Sequence, residues 1–405
     1  MTLSLESIKG RAVDLDSHEN TPFGRWGDVF GEAGRHFLEA VPEWIQVAEV
    51  RTGDWDGKFT LDHGETEITE ESVWEAKGTL APSSVDIGRR PEVLDAMGIQ
   101  RALIFPAFGF AAFAAAAGGG QNRFAQTSDE QKAAGWAGVE VYNEWAAAIT
   151  SNNPDRMRMV GILPTAKPGM TLEGLIAETK RQIDLGVRAF FISSGVPPLG
   201  ISPASVELDP WYAMIAEADI PLTLHAGSGT GFLASEVWAR APQFMNKFNE
   251  DAECVAEPLS ISTVHLPEEY FISTLVIGGV LERHPTLRIG AIELGGYWIG
   301  PLAERLDLFT DPARNMVWAG SKALTLKPSE YIARQVRVTP FVFEPVAQHL
   351  ERYPHLEDVF CFSTDFPHPE GNKWSMKRFY EQLAPKVSDR FLEKFFITNG
   401  QLLVP

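Results

Sequence analysis

The sequence predicts an α/β protein built as a single TIM-type (β/α)8 barrel, with a long insertion between its first and second strands. Eight short runs rich in β-branched and aromatic residues recur, at 12–18, 101–108, 156–164, 187–193, 220–225, 287–293, 335–343 and 358–365. Each run is nearly continuous in apolar residues, as strands buried on both faces are. Helical stretches with recognisable caps separate them, and strand–helix alternation implies parallel strands joined by crossovers.

The first strand, AVDLDSH at 12–18, is followed by the insertion, which spans 45–88; its segment 50–84 is polar and rich in Glu and Thr. A βα insertion of that length reads either as a lid over the barrel mouth or as a surface embellishment. After the second strand comes FPAFGFAAFAAAA at 105–117, read as a loop that either walls an apolar substrate pocket or packs on the barrel rim. Ser128 caps a helix over 128–151, and Thr171 caps one over 171–185 that stops at Leu185-Gly186. Further helices are expected at 209–218, 268–284, 298–309 and 345–353. An open doubly wound sheet is the competing architecture. No Gly-rich phosphate fingerprint follows the first strand, and the run Gly227-Ser228-Gly229-Thr230-Gly231 has no acidic partner to mark a nucleotide site.

The chain has 405 residues, 44% hydrophobic and 22% charged, enough to bury a core without cross-links and too apolar for a disordered protein. The domain assignment is therefore one unit over 1–405, with 45–88 inside it. Two cysteines, Cys254 and Cys361, exclude a disulfide scaffold and suit a reducing compartment. The formal charge of −19 argues against nucleic acid and anionic membranes as partners, and the polar N-terminus shows no apolar leader. A cytoplasmic enzyme acting on a small molecule is the expectation.

In such a barrel the C-terminal strand ends carry the chemistry. The first strand ends in Asp16-Ser17-His18, whose period of two puts Asp16 and His18 on one side. The fifth ends in His225, the sixth in Glu293, and the eighth in Asp365 with His368 three residues on. One strand end of this kind is a cap or a satisfied structural group; four together point to a metal. The expected metal ligands are Asp16, His18, His225 and Asp365, with Glu293 and His368 as further candidates. Glu293, Asp365 and His265 are the candidates for acid–base work. Glu19 is assigned a supporting role, and Glu268 and Glu269 read as helix N-terminal carboxylates matching the dipole. His36 and His63 are not placed, His284 ends a helix, and His349 and His355 read as surface residues. Gly-x-Ser-x-Gly, P-loop and His-Glu-x-x-His motifs are all missing.

This pattern, with RRPEVLDAMGIQRALIFP, LHAG, LVIGGVLERHPTLRIGAIELGG and STDFPHPEG, resembles the amidohydrolase superfamily, in its metal-dependent branch of aromatic-acid decarboxylases, hydratases and hydrolases. The resemblance implies that Asp16 and His18 take the places of the strand-one ligand pair, His225 that of the strand-five ligand and Asp365 that of the strand-eight carboxylate. It also suggests a homodimer. Two departures stand out: Asp16 replaces the first His of a common His-x-His pair, and Glu293 stands where several decarboxylases carry a His. A carboxylate-rich set shifts preference from Zn toward Mn or Fe, and one ion is favoured over two.

The expected activity is hydrolysis or decarboxylation of a carboxylate-bearing, apolar or aromatic substrate by a divalent metal. The alternatives are a non-haem (di)iron monooxygenase on the same fold, acting on a bulky apolar substrate, and a non-catalytic barrel.

Overall fold

The structure, a computed structural model, describes residues 3–41, 66–84, 86–117, 127–229, 231–233, 238, 258–311, 313, 324–368 and 371–404. It is α/β with parallel sheets. The strands are β1 (Ala12–His18), β2 (Ile99–Phe105), β3 (Met157–Met159), β4 (Gly161–Ile162), β5 (Phe190–Phe191), β6 (Leu222–His225), β7 (Ile289–Ile292) and β8 (Val336–Val338). β1, β2 and β3 form one parallel sheet, and β4 to β8, in chain order, form the other.

The run expected as the third strand is divided at Val160 into β3 and β4. Val160 N donates to Ile104 O at 2.9 Å, whereas Gly161 N donates to Ala189 O at 2.9 Å, so the chain changes ladder partner between adjacent residues. The run 358–365 forms no regular strand. It is extended, with parallel bridges from Phe360 to Val338 and from Phe366 to Ser17. Cys361 N donates to Val338 O at 3.0 Å, Leu15 N to Phe362 O at 3.2 Å and Asp365 N to Asp16 O at 2.7 Å. The strands are shorter than their apolar runs because staggered neighbours overlap over only a few residues each.

The segment 105–117 is not a loop. Pro106 has no N–H to continue the ladder, and a helix runs from Phe108 to Ala117. Its alanines let the long helix Asp129–Asn152 approach closely: a Cβ on Gly138 would sit 2.9 Å from the Ala112 Cβ. Phe108 stacks on Phe30 with centroids 3.9 Å apart, and Trp26 and Phe37 complete an apolar cluster beneath. Ser128 and Gln131 cap the long helix reciprocally, Gln131 N donating to Ser128 Oγ at 3.1 Å and Ser128 N to Gln131 Oε1 at 2.9 Å. Thr171 caps Leu172–Leu185, and Gly186 ends it at φ 114°, as its Gly requires. The expected helix 268–284 is two helices, Leu266–Ile277 and Val280–Arg283, separated by Gly279 at φ 72°.

Of the expected insertion, residues 45–65, with His63, and residue 85 lie outside the described residues, as does Cys254. Its described part forms a short helix, Glu70–Glu75, and packs on the chain just after Asp365. Trp74 stacks on Trp374 with centroids 6.0 Å apart, and Gly78 N donates to Pro367 O at 2.8 Å. Among the described residues no helix is long and apolar enough to cross a membrane.

Candidate metal centre

Side chains from four distant parts of the chain converge beyond the C-terminal strand ends. His18 Nε2 lies 3.3 Å from Asp16 Oδ1 and 3.4 Å from Asp365 Oδ1. His225 Nε2 lies 3.4 Å from Asp16 Oδ1 and 3.4 Å from Glu293 Oε2. Asp16, His18, His225 and Glu293 each offer a ligand atom within 4.8 Å of all the others, and His18, Asp365 and His368 form a second such group. His368 Nδ1 is 2.9 Å from Asp365 Oδ1, and its ring stacks on His18 at 3.9 Å.

The spacing fits coordination better than hydrogen bonding. Ligands ~2.1 Å from one ion stand about 3.0–3.4 Å apart along the edges of an octahedron or tetrahedron. Asp16 Oδ1, His18 Nε2 and His225 Nε2 are buried and have no hydrogen-bond partner among the described residues. Buried polar atoms left in that state are costly, unless a cation completes them. His225 Nδ1 is 3.0 Å from Ala226 O. A carbonyl only accepts, so Nδ1 carries the proton and the Nε2 lone pair faces the cluster.

The backbone aims the carboxylates. Ile292 pairs with His225 in the β6–β7 ladder and shares its face, so Glu293 would point away in a continuing strand. Glu293 instead has φ 58°, and Asp365 has φ 49°. Left-handed backbone at non-glycine residues is held against strain, and at Glu293 it turns the carboxylate toward the His225 imidazole.

Charge follows the same geometry. Burial raises Asp16, but the adjacent imidazoles of His18 and His225 outweigh it and bring its pKa down to about 2. His18 is held well below its ordinary value by burial and then by the neighbouring His368. His225 moves up, because Asp16 and Glu293 outweigh its burial. Burial and then the charge of Asp365 push Glu293 well above the carboxylate range.

Supporting groups escaped the sequence reading. Asp14 Oδ1 accepts from Asp16 N at 3.1 Å and Thr364 N at 2.9 Å, and Oδ2 accepts from Thr364 Oγ1 at 2.6 Å, tying the two ligand-bearing segments together. Burial pushes the Asp14 pKa up to about 7. Its signal was present: an acid two residues before Asp16, on the same side of an apolar strand. Arg90, fully buried, donates to Ser83 Oγ at 2.7 Å, Ser17 Oγ at 2.9 Å and His18 O at 2.8 Å. Nothing local in the sequence marks it. Glu19 has the supporting part expected of it, accepting from Ala107 N at 2.8 Å, Phe108 N at 2.7 Å, Thr21 N at 3.0 Å and Thr21 Oγ1 at 2.8 Å.

Two expectations are not met. His265 is not brought to the cluster: its Nδ1 is 2.9 Å from the Tyr297 hydroxyl and its Nε2 3.4 Å from Glu269 Oε2. The aromatic wall comes from a helix and two strands rather than a loop: Phe105 lies 4.4 Å and Phe110 5.1 Å from the His225 ring, and Phe191 lies 4.8 Å from Phe110. Glu268 and Glu269 stand in the first turn of the helix Leu266–Ile277, as expected, but Glu268 is fully buried.

Residues 100–401 match the amidohydrolase family. The chain is a member of that family. Among solved structures it is similar to amidohydrolase map2389c of Mycobacterium avium subsp. paratuberculosis, at 19% identity and TM-score 0.63 over 98% of this chain and 99% of that one. It is similar also to the 5-carboxyvanillate decarboxylase of Novosphingobium aromaticivorans, solved with manganese and 4-hydroxy-3-methoxy-5-nitrobenzoic acid, at 17% identity and TM-score 0.60 over 100% and 99%. The 2,6-dihydroxybenzoate decarboxylase from Rhizobium matches at 16% identity and TM-score 0.57 over 97% and 98%. These likenesses show that this amidohydrolase shares their fold. No curated relative matches the sequence.

Proposed function

We propose that this amidohydrolase is a divalent-metal enzyme that decarboxylates or hydrolyses a carboxylate-bearing substrate with an apolar or aromatic body. The observation that carries the reading is the convergence of Asp16 Oδ1, His18 Nε2 and His225 Nε2, buried without hydrogen-bond partners among the described residues. Asp16, His18, His225 and Asp365 would hold the ion, with Glu293 and His368 as further ligand candidates. Three carboxylates among these groups favour Mn or Fe over Zn. The manganese in the 5-carboxyvanillate decarboxylase structure supports the same choice.

When bound, such an ion supplies Lewis-acid chemistry, polarising a carboxylate or acidifying a water. Glu293, 3.4 Å from His225 Nε2, is placed to move a proton, to a substrate carbon in decarboxylation or from water in hydrolysis. Asp365 is the second candidate for that work. His265, engaged with Tyr297 and Glu269, is assigned to support the mouth instead. Phe105, Phe110 and Phe191 exclude water from the His225 side and offer an aromatic wall to the substrate.

The architecture belongs to the same reading: one domain over 1–405 whose strands close into a barrel, with 45–88 as a lid. Closure is supported by the bridges of 358–366 to both Val338 and Ser17 and by the exchange of partners at Val160. The lid is supported by the packing of 66–84 on the segment carrying His368.

The test is to replace Asp16 or His225 by Ala, then measure manganese by elemental analysis and turnover of aromatic carboxylates. Both variants are expected to lose most of the metal and the activity together. Unchanged metal content would falsify the assignment. A second reading, a non-haem (di)iron monooxygenase, is favoured by the second group, His18, Asp365 and His368, which adds donors beyond those one ion needs. Its mark is bound iron with substrate-coupled oxygen consumption; turnover without air rules it out.

A further inference from the structure

Behind His225 lies a second polar cluster. Glu268, on the helix Leu266–Ile277, is 0% exposed. Its Oε1 stands 2.7 Å from Ser194 Oγ and 2.7 Å from Ser228 Oγ, and the two hydroxyls are 2.8 Å from each other. Its Oε2 is buried with no partner among the described residues.

Proton counting decides the state of this triangle. Three oxygens at hydrogen-bond distance need three protons, one per edge. Two hydroxyls supply two. With an ionised carboxylate, one of the three contacts would set lone pairs against each other at under 3 Å. With a proton on Oε1, each of the three oxygens donates once and accepts once. The stranded Oε2 gives the same answer independently. A lone buried carbonyl oxygen is a modest cost, whereas a buried unpaired charge costs far more. Burial pushes the Glu268 carboxyl up, in agreement.

The triangle sits where it can act on the centre. Ser228 N donates to His225 O at 3.0 Å, closing the turn that carries His225. Ser228 O in turn accepts from Ser194 N at 3.2 Å, Gly195 N at 3.0 Å and Ser193 Oγ at 3.1 Å. Glu268 therefore clamps the ends of two strands to one helix, with His225 on the clamped turn.

We propose that Glu268 is a neutral carboxylic acid which closes a three-oxygen ring with Ser194 and Ser228 and so acts as a positioning residue for His225. The positioning half rests on His225 being a metal ligand; the neutral ring does not.

Infrared difference spectra of wild type against E268Q test the ring, and manganese titration of wild type, E268Q, E268A and the double variant Ser194→Ala/Ser228→Ala tests the positioning. The carbonyl band of an un-ionised carboxyl is expected to vanish in E268Q, whose neutral amide keeps manganese affinity within about threefold. E268A and the double serine variant are expected to lose about ten- to hundredfold in affinity, as loss of groups orienting a ligand does. The double variant keeps the test open if E268A fails to fold. A spectrum without that band overturns the neutral acid. Wild-type affinity in E268A or in the double variant overturns the positioning. If wild type takes up no manganese, the metal reading fails and the positioning falls with it, while the band still judges the ring.

Discussion

Glu293 and Asp365 hold left-handed backbone that a non-glycine residue adopts only under constraint. Asp365 N donates to Asp16 O and Glu293 N to Thr339 Oγ1, so the neighbouring strands supply that constraint. Residues with no part in the chemistry hold the frame. Glu19 fixes the start of the helix Phe108–Ala117 by accepting from Ala107 N and Phe108 N, while its other oxygen takes both donors of Thr21. Truncation strands four donors. Glu19→Ala is expected to cost about 3 kcal/mol in denaturant unfolding, by the cost of orphaned buried donors and a lost cap. A loss below about 0.5 kcal/mol would show that water replaces Glu19 without penalty.

Among the elements, the Ala-rich helix Phe108–Ala117 shows why small residues were needed. A Cβ on Gly135 would stand 2.6 Å from Ala112 O and 2.7 Å from Ala116 N, both backbone atoms that cannot step aside. In an exposed helix Gly→Ala stabilises by about 1 kcal/mol; here Gly135→Ala is expected to destabilise by about 1–3 kcal/mol through overpacking. A raised melting temperature for Gly135→Ala would contradict this packing. A second joint binds the helix Asp209–Glu217 to the end of Val280–Arg283. Asp209 meets Arg283 at 2.8 Å and His284 at 3.0 Å. Burial raises Asp209, but Arg283 and His284 outweigh it and hold its carboxyl below the usual range. A depressed carboxylate stabilises the fold above its unfolded pKa, near 3.9, and that contribution is lost as pH falls through the folded value. With Asp209 partly exposed, Asp209→Asn should cost about 0.5–1 kcal/mol at pH 7 and little once the pH has fallen below the folded value. A difference independent of pH would remove the ion pair as its cause.

At the scale of the whole molecule, folding and the candidate centre are linked. Asp16, His18, His225 and Asp365 are drawn together only by the folded chain, so an ion bound there stabilises the native state. Manganese at about a hundred times its dissociation constant is expected to add about 2.7 kcal/mol, reversed by a chelator. In Asp16→Ala the gain should disappear; an equal shift in that variant would locate the ion elsewhere. The legibility of the molecule followed the range of its interactions. Asp16 and His18 could be read because alternation along one strand is local. His225, Glu293 and Asp365 could be read because strand ends of one architecture share a rim. Arg90 and the Ser194–Ser228–Glu268 cluster could not, since their partners are set by crossovers, with Glu268 lying 74 residues beyond Ser194. The helix at Phe108–Ala117 escapes the pattern because its three Phe among small residues carry no period that separates helix from loop.

The order of strands and helices, the parallel architecture and the identity of the residues gathered at the rim were properties of the sequence, because periodicity, caps and turn residues act over a few positions. Tertiary structure alone decided that Glu293 turns inward against the strand's own alternation, that His265 turns to Tyr297 and Glu269, and that Glu268 is buried. Each of these depends on which backbone lies alongside, and that is settled only when distant segments pack.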